Sequence, residues 1–247
     1  MESGRGDKPY YGAYEKRYSA AYSAGVKYWG FTPDNEELRE ILARWVEENS
    51  LSGKRVVEYA CGEGAAGAML CELGCIYTGA DCSPTALVRA NETLSEYSNA
   101  TLLQLDLTRE RPEGVFEAAL DIMGLHMLVT DSDREKYLSN MRTCLAPGAS
   151  VLFLFENYRV DAYSGEIATF DDWARITGSD YSTPLERKVI NNGVEYTVEV
   201  PLLPARAKNR EDYITELERA GFAVERFVEC SENPYCNFAV HIFARKI

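Results

Sequence analysis

Residues 56–67 read Val-Val-Glu-Tyr-Ala-Cys-Gly-Glu-Gly-Ala-Ala-Gly, and this stretch decides the fold of the chain. A short β-branched run ends at Glu58, two glycines follow, and an alanine-rich segment comes next. This order is typical of a strand, a tight turn and the N-terminus of a helix, where unpaired backbone N–H groups can bind a ligand. Glycine suits such a turn because the missing Cβ lets the main chain approach a ligand closely.

A second acid follows at the spacing of a nucleotide-binding βαβ unit. Asp81 ends the next apolar run, residues 76–80, where such a unit places the carboxylate that binds a ribose. Two cofactors are compatible with these residues. The pattern Gly-x-Gly-x-x-Gly from Gly62 to Gly67, followed by Asp81, satisfies the dinucleotide fingerprint. The alternative pattern begins at Glu58 and reads Glu-x-Ala-x-Gly-x-Gly.

The pattern that begins at Glu58 resembles the first motif of the class I S-adenosylmethionine-dependent methyltransferases, an acid followed by alternating glycines. Ala60 replaces the family's first glycine and is the smallest available substitute. Glu58 has no function in a dinucleotide turn, whereas a carboxylate at this place can pair with the ammonium group of a methionine moiety. The resemblance covers about residues 51–147, and the last strands more loosely.

Composition limits the domain organisation and the cellular location that we expect. The chain has 247 residues, 46% of them hydrophobic and 26% charged, which is typical of one globular α/β domain with an elaboration. No apolar run approaches the ~20 residues of a membrane span, and the N-terminus lacks an apolar signal core. We therefore expect a cytoplasmic protein that does not bind membranes.

Cysteine, histidine and charge content exclude further classes. Seven cysteines without a C-x-x-C pair, and only two histidines, predict neither a metal site nor a disulfide scaffold. The net charge of −13 disfavours a nucleic-acid partner, because affinity for phosphate backbones depends on clustered Lys and Arg. A small-molecule partner is the expectation that remains, for a monomer or a homodimer.

Strands that alternate with helices predict a doubly wound, Rossmann-like, mainly parallel seven-stranded sheet with helices on both faces. The resemblance implies that the last strand is antiparallel. Asn192-Gly193 between two alternating runs predicts a hairpin insert. Helices are predicted to begin at Thr32-Pro33, at Ser83-Pro84 and at a capping box from Ser132 to Glu135.

We expect a single domain, residues 1–247, with four parts. The parts are an N-terminal aromatic lid and helix (1–50), a cofactor-binding core (51–156), a substrate-side insert with the hairpin (157–208) and a C-terminal helix with two strands (209–247).

The resemblance also implies which residues bind S-adenosylmethionine. The methionine end is expected to contact Glu58, the turn residues Tyr59, Ala60, Cys61, Gly62 and Gly64, and the backbone at Met123. Asp81 is expected to bind both ribose hydroxyls, with Cys82 beside the adenine. Asp106 is expected to meet the adenine amine, with Leu107 against the ring. Each of these acids could instead be a turn former or a helix cap.

The N-terminal segment is rich in tyrosine. Its order around Tyr14, Tyr18 and Trp29 resembles small methyltransferases related to the lysine methyltransferases that act on elongation factors, in which aromatic residues reach over the cofactor. These three residues are therefore expected to cover the cofactor. The alternative is a helix that only packs its rings on the core.

The reacting groups are less marked in the sequence. His126 follows the fourth strand and Glu156 ends the fifth, so each is a candidate general base for the acceptor. His126 could instead be packed behind the cofactor, and His241 is assigned to structure. Arg206 and Lys208 are the cations expected to select an anionic group on the acceptor, unless they form a solvated basic turn.

The expected function is S-adenosylmethionine-dependent methyl transfer to an oxygen, nitrogen or sulfur nucleophile of a small molecule. Such an enzyme needs neither a triad nor a metal, because the cofactor carries the activated group and the protein aligns the reactants. Two alternatives stay open: an NAD(P)-dependent oxidoreductase, and a catalytically inactive protein that binds S-adenosylmethionine.

Overall fold

The computed structural model describes residues 9–191, 194–230 and 238–247. The strands in these ranges are β1 (Arg55–Tyr59), β2 (Ile76–Asp81), β3 (Ala100–Gln104), β4 (Phe116–Ile122), β5 (Leu145–Asn157), β6 (Leu185–Asn191), β7 (Val194–Val200), β8 (Phe222–Cys230) and β9 (Ala239–Lys246). The helices are α1 (Ala13–Ser23), α2 (Glu36–Glu48), α3 (Ala65–Glu72), α4 (Pro84–Thr93), α5 (Asp131–Thr143), α6 (Phe170–Thr177) and α7 (Arg210–Arg219).

The main sheet has seven strands in the order β3-β2-β1-β4-β5-β9-β8. Strands β1 to β5 pair in parallel, whereas β9 pairs antiparallel with both β5 and β8. The predicted doubly wound sheet with an antiparallel last strand is confirmed. The strand order reverses between β1 and β4, and open α/β sheets bind ligands outside the carboxyl ends of the strands at such a point.

The sheet is covered on both faces because its central strands are apolar on both faces. In β1, Val57 packs in one buried cluster, which includes residues of α5 and α7. Val56 packs in a second cluster, which includes residues of α2 and α3. Successive side chains of a strand point to opposite faces, so this alternation places the helices in two layers around the sheet.

Two predicted helix starts are wrong by a few residues. Asn35, not Thr32, caps α2, because its side chain accepts the N–H of Leu38 at 2.8 Å. Thr130 caps α5 by accepting the N–H of Asp133, so the predicted capping box at Ser132 lies inside the helix. In both cases a nearby residue competes for the same capping role. The Ser83-Pro84 start is confirmed.

Pro147-Gly148, a pair of residues typical of a turn, lies at an irregularity within β5. The ladder with β4 pairs Phe116 with Leu145 and then moves directly to Ala118 with Ser150. Asn233-Pro234, which is also typical of a turn, lies outside the described residues. In the part of the chain that the structure describes, no helix is both long and apolar enough to cross a membrane.

The insert after β5 contains a separate two-stranded antiparallel sheet of β6 and β7. Val198 and Val200 of β7 are buried in a small cluster with Ala21 of α1 and Val26. The hairpin therefore packs on the N-terminal helix. The Asn192-Gly193 turn itself lies outside the described residues.

Candidate active site

The turn after β1 has a left-handed backbone at three of its residues. The φ angle is +55° at Ala60, +51° at Gly62 and +78° at Gly64. A Cβ built on Gly64 would lie 3.2 Å from the Cα of Ala90, so glycine also lets α4 pack against the turn. Ala60 adopts the same region although it carries a Cβ, a conformation that costs an L-residue about 1–2 kcal/mol.

Asp81, at the end of β2, connects this turn to the loop before α4. Its Oδ2 accepts the N–H of Gly62 at 2.9 Å, and its Oδ1 accepts the N–H of Ser83 at 2.8 Å. Burial raises the pKa of Asp81. Each carboxylate oxygen keeps a second lone pair, so hydroxyl groups of a ligand can still bind there. The neighbouring Cys82 side chain is exposed.

Glu58 is buried at the end of β1, with the turn residues Tyr59 and Cys61 also buried beside it. The hydroxyl of Tyr77 donates a hydrogen bond to its Oε2 at 2.5 Å. Burial raises the pKa of Glu58 to about 8. A cation in contact with this carboxyl would favour its charged form and reverse that shift.

Asp106 follows β3 and already has several protein donors, including the Arg109 Nε at 3.4 Å. The hydroxyl of Tyr11 lies 3.0 Å from both carboxylate oxygens, and the Thr108 hydroxyl donates to Oδ1 at 2.8 Å. Leu107 is buried next to it. The residues predicted to bind adenine thus follow the carboxyl end of β3, under the start of the N-terminal segment.

The N-terminal segment, residues 9–31, forms a lid over the carboxyl ends of the central strands. Glu15 of α1 accepts hydrogen bonds from the Ser83 hydroxyl at 2.6 Å and from the Thr85 N–H at 3.2 Å. Tyr14 donates a hydrogen bond to the carbonyl of Pro204 at 2.9 Å and contacts Met127 after β4.

Tyr18 reaches the glycine turn directly. A Cβ built on Gly62 would lie 2.9 Å from the Tyr18 hydroxyl, so only glycine fits beneath this side chain. Burial, with the nearby charges of Asp81 and Glu63, raises the pKa of Tyr18 well above its usual range. The hydroxyl therefore stays protonated and can donate.

Glu63, between the two glycines of the turn, holds the far end of the lid. Its carboxylate accepts the backbone N–H groups of Trp29 at 2.7 Å and Gly30 at 2.7 Å, and the Tyr22 hydroxyl at 2.7 Å. Burial raises the pKa of Glu63, although these three donors oppose the shift. The motif residue thus fixes the lid to the turn that the lid covers.

His126 and Glu156 form a buried pair after β4 and at the end of β5. The Glu156 Oε2 accepts the backbone N–H of His126 at 2.8 Å and lies 3.2 Å from its Nδ1. The N–H of Asn157 also lies 3.2 Å from Nδ1, so the tautomer decides which of the two contacts is a hydrogen bond. The Oε1 of Glu156 is buried without a partner among the described residues.

Asp121, at the end of the predicted fourth strand, shapes the loop between β4 and His126. Its Oδ1 accepts the N–H of Gly124 at 2.7 Å, and its Oδ2 accepts the Tyr137 hydroxyl at 2.6 Å. Burial, with the nearby charge of Glu156, raises the pKa of Asp121 well above its usual range. Met123 lies in this loop with a φ of +61°, so its backbone is turned sharply at the sheet edge.

Arg206 and Lys208 are engaged in structural contacts. Arg206 is 2% exposed, and its Nη1 donates to Asp131 at 2.6 Å and to the carbonyl of Val129 at 2.9 Å. The Nζ of Lys208 lies 3.1 Å from Glu216. Binding of an anion would require both ion pairs to break, which argues against the predicted role of these cations.

Comparison with known proteins agrees with this geometry. Residues 56–148 match the family model described as a methyltransferase domain. This part of the chain is therefore similar to a methyltransferase domain. This result confirms the resemblance inferred from the glycine motif and Asp81, and it does not favour the dinucleotide interpretation.

Two curated relatives match over part of their length. A ribosomal protein L11 methyltransferase of Vibrio cholerae is 23% identical over 149 residues, which are 56% of this chain and 49% of that protein. A ubiquinone biosynthesis O-methyltransferase of Paraburkholderia phymatum is 29% identical over 129 residues, 51% of this chain and 55% of that one. The chain therefore spans about half the length of the curated relatives it matches.

One solved structure shares its fold with nearly the whole chain, including the N-terminal segment and the insert. The magnesium protoporphyrin IX methyltransferase of Synechocystis PCC 6803, solved with bound S-adenosylmethionine, aligns with a TM-score of 0.65 at 14% identity. The alignment covers 99% of this chain and 100% of that one. At this identity the match shows the fold alone.

The structure brings most predicted site residues together at the carboxyl ends of the parallel strands. Sequence reasoning missed Tyr11, Glu15 and Glu63, because their partners lie 33 to 95 residues away along the chain. The signal for Glu63 was its position between two glycines of a ligand-binding turn. No group of His, Cys, Asp and Glu suited to a metal occurs among the described residues.

Proposed function

We propose that this protein transfers a methyl group from S-adenosylmethionine to an oxygen, nitrogen or sulfur nucleophile of a small molecule. One observation carries the proposal: the glycine turn, Asp81 and Asp106 lie at one edge of the sheet, directly beneath an aromatic lid. The methyltransferase-domain match over the same residues supports it.

The residues at this edge fit the cofactor. The left-handed turn at Gly62 and Gly64 leaves no room for a side chain, which suits a backbone surface against a ligand. Asp81 has spare lone pairs for two ribose hydroxyls, and Asp106 is a partly exposed acid one strand further on. Glu58 is a buried carboxyl that gains its charge when a cation such as an ammonium group binds nearby.

When bound, the cofactor supplies a sulfonium-activated methyl group. The protein's own contribution is to align the acceptor, exclude water and accept a proton where the acceptor carries one. The lid excludes water, since Tyr14 is hydrogen-bonded to Pro204 of the insert, Tyr18 packs against Gly62, and the Trp29 backbone is hydrogen-bonded to Glu63 of the glycine turn.

We assign the proton-accepting role to His126. When its Nδ1 carries the proton and donates it to Glu156, the Nε2 lone pair of this buried ring is left to accept a proton from a reacting group. No described residue forms a hydrogen bond with Nε2. Glu156 then orients the ring and stabilises the imidazolium that results.

The acceptor side is formed by the lid and the insert. The hairpin packs on α1, and α1 contacts Gly62 and Ser83, so the insert lies on the cofactor side of the sheet. A small acceptor agrees with the names of two similar proteins, the ubiquinone biosynthesis O-methyltransferase and the magnesium protoporphyrin IX methyltransferase. Cytoplasmic location, no nucleic-acid partner, and a monomer or homodimer remain our predictions.

Turnover tests the proposal. Purified protein is incubated with labelled S-adenosylmethionine and a mixture of small metabolites, and S-adenosylhomocysteine release is measured. We expect release that depends on the metabolites and falls at least tenfold in His126→Gln, which removes a base worth about 10²–10⁴ in rate. Cofactor binding without any turnover would instead support an inactive binding protein.

A further inference from the structure

Arg17 of the lid helix has no carboxylate partner among the described residues. Its guanidinium carbon lies 5.8 Å from the ring centroid of Tyr14 and 5.4 Å from that of Trp29. Its Nε is buried and has no hydrogen-bond partner in the described part of the chain. A guanidinium carries five donors and no acceptor, and a buried donor left unpaired is unfavourable, so this side chain can bind an acceptor from a ligand.

Arg187 of β6 lies on the face of the hairpin that covers the same helix, and its side chain is exposed. It pairs directly with Val198 of β7, and residues opposite each other in an antiparallel pair share a face of the sheet. Val198 is buried against Ala21 of α1, so that face covers the helix. Arg17 and Ala21 are four residues apart and therefore share one side of α1. Both guanidinium groups thus lie where the lid helix meets the hairpin.

The two cations repel each other. Burial, together with the nearby charge of Arg187, lowers the pKa of Arg17. Elsewhere the same chain pairs its buried arginines with acids, Arg134 with Glu216 and Arg206 with Asp131. Arg17 has no such partner among the described residues although the chain has a net charge of −13, and the exposed Arg187 near it is accessible to a ligand.

We propose that Arg17 and Arg187 bind an anionic group, a carboxylate or a phosphate, of the methyl acceptor. This inference rests on the proposed function and specifies its substrate class as an anionic small molecule. The planar fork of each guanidinium matches the geometry of either anion, and the rings of Tyr14 and Trp29 hold the Arg17 group in place. Arg187 belongs to the insert, which assigns the pair to the acceptor side.

The anion arm of the test uses protein saturated with S-adenosylhomocysteine. Acetate, benzoate and inorganic phosphate are titrated separately while the Nε–H resonances of the arginines are followed by NMR. We expect at least one anion to shift the Arg17 resonance, and Arg187→Met to weaken that anion's binding roughly tenfold. Arg17→Lys retains the charge and should lose the fork, giving an intermediate affinity when binding is followed by calorimetry.

Lys188→Met is the matched control. Lys188 lies next to Arg187 on the opposite face of β6, and its Nζ is 2.7 Å from Glu195. This variant should bind the anions as the unmodified protein does. An unmodified protein that responds to none of the three anions, or an Arg187→Met that behaves like Lys188→Met, overturns the proposal.

A second experiment distinguishes a carboxylate of the methyl acceptor from the carboxylate of the cofactor itself. Affinities for S-adenosylhomocysteine and for methylthioadenosine, which lacks the amino-acid portion, are compared in Arg17→Met and Arg187→Met. An unchanged ratio supports recognition of the acceptor. A loss confined to S-adenosylhomocysteine assigns the arginines to the cofactor's own carboxylate and overturns the proposal. Unmodified protein that fails to bind S-adenosylhomocysteine contradicts the proposed function itself, and the same titration detects this outcome.

Discussion

Replacement of Glu63 by alanine should open the lid without unfolding the core. The carboxylate accepts three hydrogen bonds from the lid: from the N–H groups of Trp29 and Gly30 and from the Tyr22 hydroxyl. Each has a net value of about 1 kcal/mol, because water replaces the lost partner in the open state. The sum of about 3 kcal/mol corresponds to a roughly 150-fold shift of the closed–open equilibrium toward the open state.

Hydrogen exchange measures this shift at the residues concerned. The amides of Trp29 and Gly30 should exchange about two orders of magnitude faster in Glu63→Ala, while amides of β1 and β4 keep their protection. Glu63→Gln keeps one acceptor oxygen and should give an intermediate rate. Glu72→Ala is the matched control, since Glu72 is an exposed acid of α3 whose side chain bonds Arg39 and Tyr97 and no residue of the lid among those that the structure describes.

The reasoning fails if Trp29 and Gly30 exchange at the same rate in Glu63→Ala and in Glu72→Ala. It also fails if β1 and β4 lose protection together with the lid, because Glu63 would then support the core and not the lid. In the expected case, the lid of Glu63→Ala is closed for a smaller fraction of the time. The affinity for S-adenosylhomocysteine is therefore lower than in the unmodified protein, and calorimetry detects the loss.

Three further predictions concern the sheet edge. Asp81→Ala should weaken S-adenosylhomocysteine binding by about 1.5–3 kcal/mol in calorimetry, because charge-assisted hydrogen bonds to the ribose and to Gly62 are lost; unchanged affinity in a folded variant refutes the assignment. Ala60→Gly should leave the free energy of unfolding unchanged or raise it by up to about 1 kcal/mol in thermal melts. Glycine removes the steric strain of a Cβ at φ +55°, and this gain exceeds the entropy cost of glycine; clear destabilisation contradicts the prediction. Folding raises the pKa of Glu58 from 4.5 to about 8, so the folded protein holds this proton more tightly than the unfolded chain does. The resulting stabilisation is complete below pH 4.5 and is lost as the pH rises through about 8. Ligand-free Glu58→Gln should therefore gain stability relative to the unmodified protein between pH 5 and pH 9 in thermal melts, and a constant difference refutes the shift.

The sheet was predictable because its signals are local. The β-branched run before Glu58, the alternation of strands with helices and the Asn-Gly hairpin each follow from residues close in sequence. Helix starts were less predictable, since Asn35 and Thr130 lie a few residues from the predicted caps and satisfy the same N–H groups. Local sequence does not determine which of two capping residues is used.

The lid contacts and the charge pairing depend on tertiary structure. Tyr11 with Asp106, and Glu63 with Trp29, join segments far apart in the chain, so no local pattern indicates them. The cations at Arg206 and Lys208 were predicted to be available because the sequence does not reveal that the fold places Asp131 and Glu216 beside them. Arg17 was not predicted to bind a ligand for the opposite reason, since only the structure shows that it has no carboxylate partner among the described residues.

Calorimetric titration of the unmodified protein with S-adenosylhomocysteine, and in parallel with NADH, tests the central claim most directly. The account predicts one S-adenosylhomocysteine site per chain, with affinity lowered by Asp81→Ala, and no measurable heat from NADH. Binding of NADH in place of S-adenosylhomocysteine would contradict it.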